Sequence, residues 1–322
     1  MKELQPKNHA LILRQRRAQM RRGAERVRQC CSLRNLSHIL LFASSQTALA
    51  HEADAARATF LHLVSWPLFP LLLVFVLYSL GLRQLWRGGG GRGVSCIQAG
   101  SFIAGGALVL ITWSGPLNRG AASSLAAHVA QHMVLMAAVP PLLLLGRPGV
   151  VTLGLLPTRT ARALTAPLRK ARRLQFWALL ASPVTAMLVQ SAVMWSWHLP
   201  AAMDLAIQNA GWHGVMHGSF LATGIWFWAA LLRSIRNPDA GAGSGALAIV
   251  GSMMAMGLLG ALLTFADRPR YPVYAELAAQ LGRSALGDQQ LAGLIMWVPS
   301  ALPYLIGGLI ITALWLRRDR GC

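Results

Sequence analysis

The stretch LAAHVAQHMVLMAAVPPLLLLG, residues 125–146, determines how the rest of the chain is interpreted. It runs for 22 residues without an Asp, Glu, Lys or Arg. A helix of about 20 apolar residues can cross the roughly 30 Å hydrocarbon core of a bilayer. The same stretch carries polar side chains at His128, Gln131 and His132, where polarity is costly. We therefore interpret it as a membrane-spanning helix with a functional polar end.

Six further apolar stretches of similar length occur along the chain. The composition agrees, because 55% hydrophobic residues, 12% charged residues and a mean hydropathy of +0.47 are unusual for a soluble domain. Backbone polar groups must be paired within lipid, so these segments are predicted to be helices. The sequence predicts an all-α polytopic membrane protein, a seven-transmembrane-helix bundle, with spans near 61–82, 95–113, 125–146, 176–197, 212–232, 245–266 and 291–316.

Residues 1–50 differ from the rest of the chain. They hold ten of the 30 Lys and Arg residues, then a short apolar segment, and they end in small residues at Ala48 and Ala50. This order is typical of a secretory signal peptide. We predict a basic signal-like leader at 1–50 and a seven-helix transmembrane domain at 51–322, with an uncleaved basic cytoplasmic tail as the alternative. Nucleic-acid binding is not expected, because the bundle has no basic helix with interleaved aromatic residues.

Lys and Arg residues are divided unevenly between the loops predicted on the two sides of the membrane. Fifteen lie on one side and five on the other. Because positively charged loops stay in the cytoplasm, the mature N-terminus is predicted to face outward and the C-terminus inward. Cys96 and Cys322 then fall on the inner side, so neither a disulfide framework nor a thiolate metal site is expected on the outer side.

With this topology, every histidine of the predicted transmembrane domain lies on the outer side. The histidines occur at the mature N-terminus and at the outer ends of four predicted spans. If they were ordinary surface residues, the long inner loop 147–175 should contain some, and it contains none. The seven residues are His51, His62, His128, His132, His198, His213 and His217.

Two pairs of these histidines have the spacing of a metal clamp. His128 and His132 are four residues apart, as are His213 and His217, so each pair shares one face of a helix. Methionines occur one turn from several of the histidines. Imidazole and thioether together favour Cu(I), whereas magnesium, calcium and manganese prefer oxygen. The predicted copper ligands are His128, His132, His198, His213, His217, Met136, Met194 and Met216.

Other interpretations of these residues stay open. A single histidine near a membrane interface is usually structural, and a methionine in a membrane helix usually packs. Zinc and haem also accept imidazole ligands and are secondary alternatives to copper. A copper transporter, with Met253, Met254 and Met256 extending its path, and a haem-binding redox protein are the alternative functions. The chain shows no nucleophile with a paired base, so an enzyme is not expected.

Four stretches between the third and the seventh predicted spans share the pattern of a known family. They read HVAQHMVLMAAVPPLLLLGRP (128–148), WHLPAAMDLA (197–206) followed by HGVMHGSFLATGIWFW (213–228), LLGALLTFADRPRYPVYAEL (258–277) and DQQLAGLIMWVPSALPYL (288–305). The chain thus resembles the polytopic CtaG-type cytochrome c oxidase assembly factor family. The resemblance implies a protein of the bacterial inner membrane that is needed for active haem-copper oxidase. It also implies that copper is handled at the periplasmic face, with cytochrome c oxidase subunits and a periplasmic copper carrier as partners.

The resemblance also assigns individual polar residues to the site. The matching residues are His128, Gln131, His132, His198, Asp204, His213, His217, Asp288 and Gln289. Asp204 and Asp288 could each cap a helix or orient a ligand histidine through its ring N–H. Pro140 and Pro141 remove two backbone donors, which predicts a bend in the third span that opens space below His132.

Overall fold

The computed structural model describes residues 68–87, 89–91, 93–114, 116–171, 175–236 and 238–319. The predicted leader, His51 and His62 lie outside these residues. Every regular element in the described part of the chain is helical. The α-helices are α1 (Leu68–Trp86), α2 (Cys96–Ser114), α3 (Pro116–Ala121), α4 (Leu125–Met133), α5 (Val139–Leu145), α6 (Pro148–Leu153), α7 (Thr158–Ala171), α8 (Gln175–Ala181), α9 (Pro183–Trp197), α10 (Pro200–Gln208), α11 (Ala210–Arg236), α12 (Pro238–Thr264), α13 (Pro272–Gln280), α14 (Ala285–Trp297) and α15 (Leu302–Asp319).

Five helical segments among the described residues are long and apolar enough to cross a membrane. They are Cys96–Trp113, Leu125–Leu145, Ala210–Ile235, Gly243–Thr264 and Ala285–Ala313. A shorter apolar helix, Pro70–Trp86, corresponds to the first predicted span. The fourth predicted span, 176–197, is divided between α8 and α9, and each is shorter than the roughly 20 residues that a span needs. The prediction of an all-α multi-pass membrane protein is confirmed, and the count of seven spans stays a prediction.

Proline explains two interruptions in the predicted spans. Pro183 occupies the first turn of α9, where its missing N–H would lack a helical partner in any case. The Ser182 hydroxyl caps this helix by accepting a hydrogen bond from the Thr185 N–H. Pro299 similarly begins a 3-10 turn, Pro299–Ala301, between α14 and α15. The fourth and seventh predicted spans are therefore interrupted, because proline cannot donate to the preceding turn.

The third predicted span contains a π-helical turn, Val134–Ala138, between α4 and α5. Within it the Val139 N–H donates to the Val134 carbonyl, a pairing across five residues instead of four. Pro140 and Pro141 follow directly and cannot donate, so the backbone changes its pairing just before them. The structure thus shows a widened helical turn where the sequence predicts a bend, and such turns are frequent at functional sites.

α12 packs against four other long helices, α9, α11, α14 and α15. It crosses α14 very closely, because a Cβ added to Gly260 would lie only 2.8 Å from the Gly293 carbonyl. Small residues at such crossings let two backbones approach in lipid, where packing drives helix association. α4 packs against α14 in turn. This packing connects the α12 and α14 pair to the helix that carries the first two histidines.

The start of α4, the end of α9 and the start of α11 lie at one end of the bundle, which we call the histidine end. The Asp288 carboxylate at the start of α14 accepts a hydrogen bond from Ser124 at the start of α4. The Tyr271 hydroxyl, just before α13, donates to the His198 carbonyl at the end of α9, at 2.9 Å. Helices far apart in sequence are therefore joined by side-chain hydrogen bonds at this end.

Candidate metal centre

Two side chains cap α4, the helix that carries His128 and His132. The Ser124 hydroxyl accepts a hydrogen bond from a backbone N–H of the first turn. The Asp288 carboxylate accepts from the Ser124 hydroxyl at 2.7 Å and from the Leu125 N–H at 2.6 Å. These bonds pair backbone donors that a helix start leaves free, and a negative charge suits the positive end of the helix dipole. The two histidines therefore follow a helix start that is held by a second helix.

One close approach sets the distance between α11 and the π turn. A Cβ added to Gly224 of α11 would lie 2.7 Å from the Met136 carbonyl, so only glycine fits without displacement. His217 is seven residues before Gly224, on the same face of α11. The imidazole rings of His217 and His132 consequently meet edge to face, with centroids 5.2 Å apart.

His128, His213 and His217 form the tightest group of histidines. One ring nitrogen of each lies within 4.8 Å of one ring nitrogen of both others. The Nε2 atoms of His128 and His213 are 3.3 Å apart. Two imidazole nitrogens bound tetrahedrally to one metal at about 2.0–2.1 Å are themselves roughly 3.3 Å apart. The spacing is therefore that of a ligand pair, and the half-buried His213 forms the open edge of the group.

His132 and His198 extend the group away from this edge. The ring centroid of His132 lies 4.2 Å from that of His128 and 6.0 Å from that of His198. Both rings are buried, and His132 also contacts Phe220 with centroids 4.7 Å apart. The structure thus brings together all five histidines that the sequence groups. We call this set the imidazole cluster: His128, His132, His198, His213 and His217.

Tyr274 of α13 determines which nitrogen of His128 is free. Burial raises the pKa of Tyr274, so its hydroxyl stays protonated. The single proton is donated to the Ala121 carbonyl at 3.0 Å. His128 Nδ1 contacts the same hydroxyl oxygen and must therefore donate to it. The Nε2 atom of His128 therefore carries a lone pair, which faces Nε2 of His213 at 3.3 Å and can accept a hydrogen bond from it or bind a metal, an arrangement that is typical of metal-ligating histidines.

A hydrogen bond to the backbone gives His198 the same protonation state, with the hydrogen on Nδ1. Its Nδ1 lies 2.7 Å from the Met194 carbonyl, which can only accept, so Nδ1 carries the hydrogen. Burial lowers the pKa of His198 to about 4, although the bond to this carbonyl opposes the effect, so the ring is neutral near pH 7. The Tyr271 hydroxyl fixes the backbone at this residue. His198 therefore also presents a free Nε2 lone pair.

Four ring nitrogens of the imidazole cluster are buried without a hydrogen-bond partner among the described residues. They are both nitrogens of His132 and the Nε2 atoms of His198 and His217. An unpaired buried polar atom costs about 1–3 kcal/mol, and native interiors generally avoid that cost. Buried ring nitrogens without partners fit a metal ion that prefers imidazole ligands.

Residues 76–318 match the family model described as cytochrome c oxidase caa3 assembly factor. The chain belongs to this family. The matched region contains the whole imidazole cluster and almost all of the described helices. The resemblance inferred from the four sequence stretches is therefore confirmed, and the family consists of assembly factors for cytochrome c oxidase.

Two mycobacterial proteins are also similar to this caa3 assembly factor family member. An uncharacterized protein of Mycobacterium bovis and one of Mycobacterium tuberculosis are each 25% identical to it over 251 residues. The similar region covers 76% of this chain and 37% of each relative, so the chain spans well under half of their length. No solved structure matches the chain.

Two glutamines were predicted to lie beside the metal. In the structure they bind backbone groups instead of histidine rings. Gln131 donates to the Thr112 carbonyl at 2.6 Å, which ties α4 to α2. Gln289 accepts from the Arg270 N–H at 2.7 Å, which holds the loop leading into α13. In this caa3 assembly factor family member, Gln289 thus supports the segment that carries the two tyrosines.

The two aspartates predicted at the site occupy different positions in the structure. Asp288 caps α4 and not its own helix, because Ser284 caps α14 by accepting from a backbone N–H. Asp204 of α10 lies near Tyr271. Burial raises the pKa of Tyr271 and the Asp204 carboxylate adds to the effect, while Arg270 opposes it. One oxygen of Asp204 is buried without a partner among the described residues.

The three predicted methionine ligands are all almost fully buried. Met136 and Met194 also line a small cavity. Met216 packs in the main hydrophobic core. All three belong to the same hydrophobic core, and their role as metal ligands stays a prediction.

Sequence reasoning missed Tyr271 and Tyr274. Both lie in the stretch RYPVYAEL, 270–277, which carried part of the family resemblance without an assigned role. Two of the chain's four tyrosines are three residues apart here, around a proline that begins α13. The repeated tyrosine around this proline was the available signal in the sequence. Their partners lie 73 and 146 residues away, so only the fold identifies them.

Proposed function

We propose that this protein binds copper as Cu(I) in the imidazole cluster and passes it to a subunit of cytochrome c oxidase during assembly. The observation that carries the proposal is the set of buried ring nitrogens without partners at His132, His198 and His217. A purely structural histidine cluster would pair these atoms with donors or acceptors. A metal ion held by His128, His213 and His217, whose ring nitrogens lie within 4.8 Å of one another, would pair a ring nitrogen of His217 directly.

The donor set supports copper over hard cations. The cluster offers neutral imidazoles, whereas Asp288 is occupied in capping α4. Calcium, magnesium and manganese prefer carboxylate and carbonyl oxygen, and imidazole suits copper and zinc. Zinc is the competing metal that the experiment below includes.

The geometry does not favour haem. The Nε2 atoms of His128 and His213 are 3.3 Å apart, and the ring centroids of these histidines are 5.2 Å apart. An iron porphyrin held between the two imidazoles would have to push them apart. Transport along α12 is also poorly supported, because Met254 is 70% exposed on the outside of the bundle.

The half-buried His213 suggests how copper leaves the site. It is the least buried member of its group, so an incoming donor from a partner reaches the metal beside it first. Transfer is then a ligand exchange, in which a bond from copper to the partner donor forms as a bond to His213 breaks. Copper keeps its oxidation state, and no other reactant is needed.

The proposal includes an orientation in the bacterial inner membrane. Loops predicted on the side away from the histidines carry most of the Lys and Arg residues of the transmembrane domain. By the positive-inside rule, the histidine end faces the periplasm and the C-terminus faces the cytoplasm. A periplasmic copper carrier and an oxidase subunit would then meet the same face of the protein.

The site is tested by metal analysis of the purified full chain. The protein is prepared without a histidine tag and is loaded with copper or zinc. We expect His132→Ala and His217→Ala each to bind markedly less copper than the wild type. Tyr78→Phe is the control, since it removes a buried tyrosine hydrogen bond to the Gly146 carbonyl without touching a histidine. Equal copper contents in all four proteins would exclude the imidazole cluster as the site.

The role in assembly is tested in cells that lack the gene. We expect the wild-type chain to restore copper content and activity of cytochrome c oxidase, and His132→Ala to restore neither at low copper supply. The amount of the variant in the membrane is measured by immunoblot, so that loss of protein is distinguished from loss of function. Full restoration by His132→Ala at wild-type protein levels contradicts the proposal.

A further inference from the structure

A second group of potential ligands lies one helical turn from the imidazole cluster. Met136 is four residues after His132, and Met194 is four residues before His198. Both methionines line a small cavity between the π turn, α9, α12 and α15. We call this cavity the methionine chamber. Its lining includes Met136, Gln190, Met194, Ser252, Met256 and Tyr304.

The methionine chamber retains empty space within an otherwise packed interior. The centre of a water-sized sphere can occupy about 10 Å³ of it, which is enough for one water molecule or one bare ion. Met136, Met194 and Met256 are each at most 2% exposed. Methionine usually fills irregular gaps in a core, so a void surrounded by three thioethers is not the expected result of packing.

Two polar atoms in the lining have no partner among the described residues. Gln190 is 3% exposed and its Oε1 atom is unpaired, while its amide Nε2 donates to the Tyr304 hydroxyl at 3.3 Å. Ser252 is 6% exposed and its hydroxyl is also unpaired. Each unpaired atom costs free energy unless something in the cavity binds it.

The chemistry of the lining residues indicates which kind of ion or molecule the methionine chamber binds. Three methionines, three hydroxyl-bearing residues and one glutamine line the chamber; all are neutral, and no carboxylate lines it. Hard divalent cations need charged oxygen ligands, whereas thioether is a preferred ligand of Cu(I). A water molecule could bind Gln190 and Ser252, but thioether sulfur is only a weak hydrogen-bond acceptor. Water would therefore make no specific use of the three thioethers, whereas Cu(I) would bind them.

We propose that the methionine chamber is a second metal site, separate from the imidazole cluster, that binds a soft monovalent cation of the Cu(I) type. Met136 and Met194 are each four residues from a histidine of the imidazole cluster, His132 and His198, so the two sites are built on the same segments of the chain. The choice of ion rests on the proposed function, and the existence of the site rests on the lining of the chamber.

The experiment uses the full chain in detergent, loaded without oxygen with Cu(I) alone. Bound copper is counted by metal analysis, and X-ray absorption distinguishes sulfur from nitrogen ligands. We expect the wild type to bind two ions, one of them with sulfur ligands. The triple variant Met136→Leu, Met194→Leu, Met256→Leu is expected to bind one ion with no sulfur ligand. Leucine keeps the volume of methionine, so the core stays filled.

Two further variants separate this site from the imidazole cluster. His132→Ala combined with His217→Ala is expected to lose one ion and keep the sulfur signal. The matched control changes three buried methionines outside the chamber, Met133→Leu, Met203→Leu and Met296→Leu, and is expected to bind two ions.

The outcomes distinguish the two proposals. If copper bound to the wild type has no sulfur ligand, the proposed site in the methionine chamber is excluded, even if the triple methionine variant fails to fold. Unchanged copper binding in a folded triple methionine variant overturns it as well, and then water is its occupant. If a sulfur-bound ion persists and the histidine variant binds as much copper as the wild type, the methionine chamber is supported and the imidazole cluster is excluded as a site.

Discussion

Tyr274 shows how strongly the site depends on a single hydroxyl group. The hydroxyl accepts from His128 Nδ1 and donates to the Ala121 carbonyl, so it fixes both the ring orientation and the protonated nitrogen. Partners of this kind orient metal-ligating histidines in many proteins. At the scale of one residue, the geometry of the imidazole cluster is therefore set by a group that need not contact the metal.

We expect Tyr274→Phe to lower copper affinity by about 10- to 100-fold, the usual effect of losing such a partner. His128 can then rotate or protonate its other nitrogen. Affinity is measured by competition with a coloured Cu(I) chelator. Tyr78→Phe should leave affinity within twofold, because its hydroxyl binds the Gly146 carbonyl, far from the imidazole cluster in the fold. Equal affinities for the two variants would remove Tyr274 from the site.

At the scale of secondary structure, the contact between α11 and the π turn aligns the two histidine pairs. Gly224 packs directly on the Met136 carbonyl. Two prolines, which cannot donate backbone hydrogen bonds, follow the π turn after one residue. A local feature of one helix thus determines how closely a second helix, with His217, can approach.

We expect Gly224→Ala to destabilise the protein by about 1–3 kcal/mol, because the added methyl group meets backbone atoms that cannot move freely. Copper binding should weaken as α11 moves away from α4. Gly218→Ala is the matched control in the same helix, since a Cβ there meets nothing within 4 Å. Both variants are compared by thermal unfolding in detergent. Equal melting temperatures for them would show that the contact is unimportant.

At the scale of the whole molecule, the proposed orientation places all five histidines of the cluster at the periplasmic face. The exposed Cys96, at the start of α2, then lies on the cytoplasmic side. The uneven distribution of Lys and Arg is the basis of this assignment. A membrane-impermeant thiol reagent can test it directly.

In a protein with Cys30, Cys31 and Cys322 changed to Ser, we expect Cys96 to react in inverted vesicles and not in intact spheroplasts. A second protein that also carries Cys96→Ser and Ala201→Cys should show the opposite pattern, because Ala201 is exposed at the histidine end. The measurement is labelling by a charged maleimide, with detergent-opened membranes as the positive control. Reversed patterns would invert the orientation.

Much of the fold could be predicted because its signals are local. Apolar length predicts the spans, and the four-residue spacing of His128 with His132 predicts a shared helix face. The broken spans at Pro183 and Pro299 were harder to place, since proline is common in membrane helices and interrupts only some of them.

The candidate site shows where such reasoning ends. The sequence assigned Asp288 to its own helix or to a histidine, and the structure uses it to cap α4, 163 residues away. It grouped Met136 with the histidines, and the structure places Met136 in a cavity with Met256. In each case the partner comes from a helix that no sequence spacing identifies.

The sequence by itself determined that this is an all-helical membrane protein with paired histidines near the ends of its helices. Hydrophobic length and helical periodicity act over a few turns, so one segment is enough to reveal them. Only the tertiary structure decided which ring nitrogens are free, which tyrosines orient them and where the methionine chamber lies. These properties depend on contacts between distant helices, and packing in three dimensions selects those contacts.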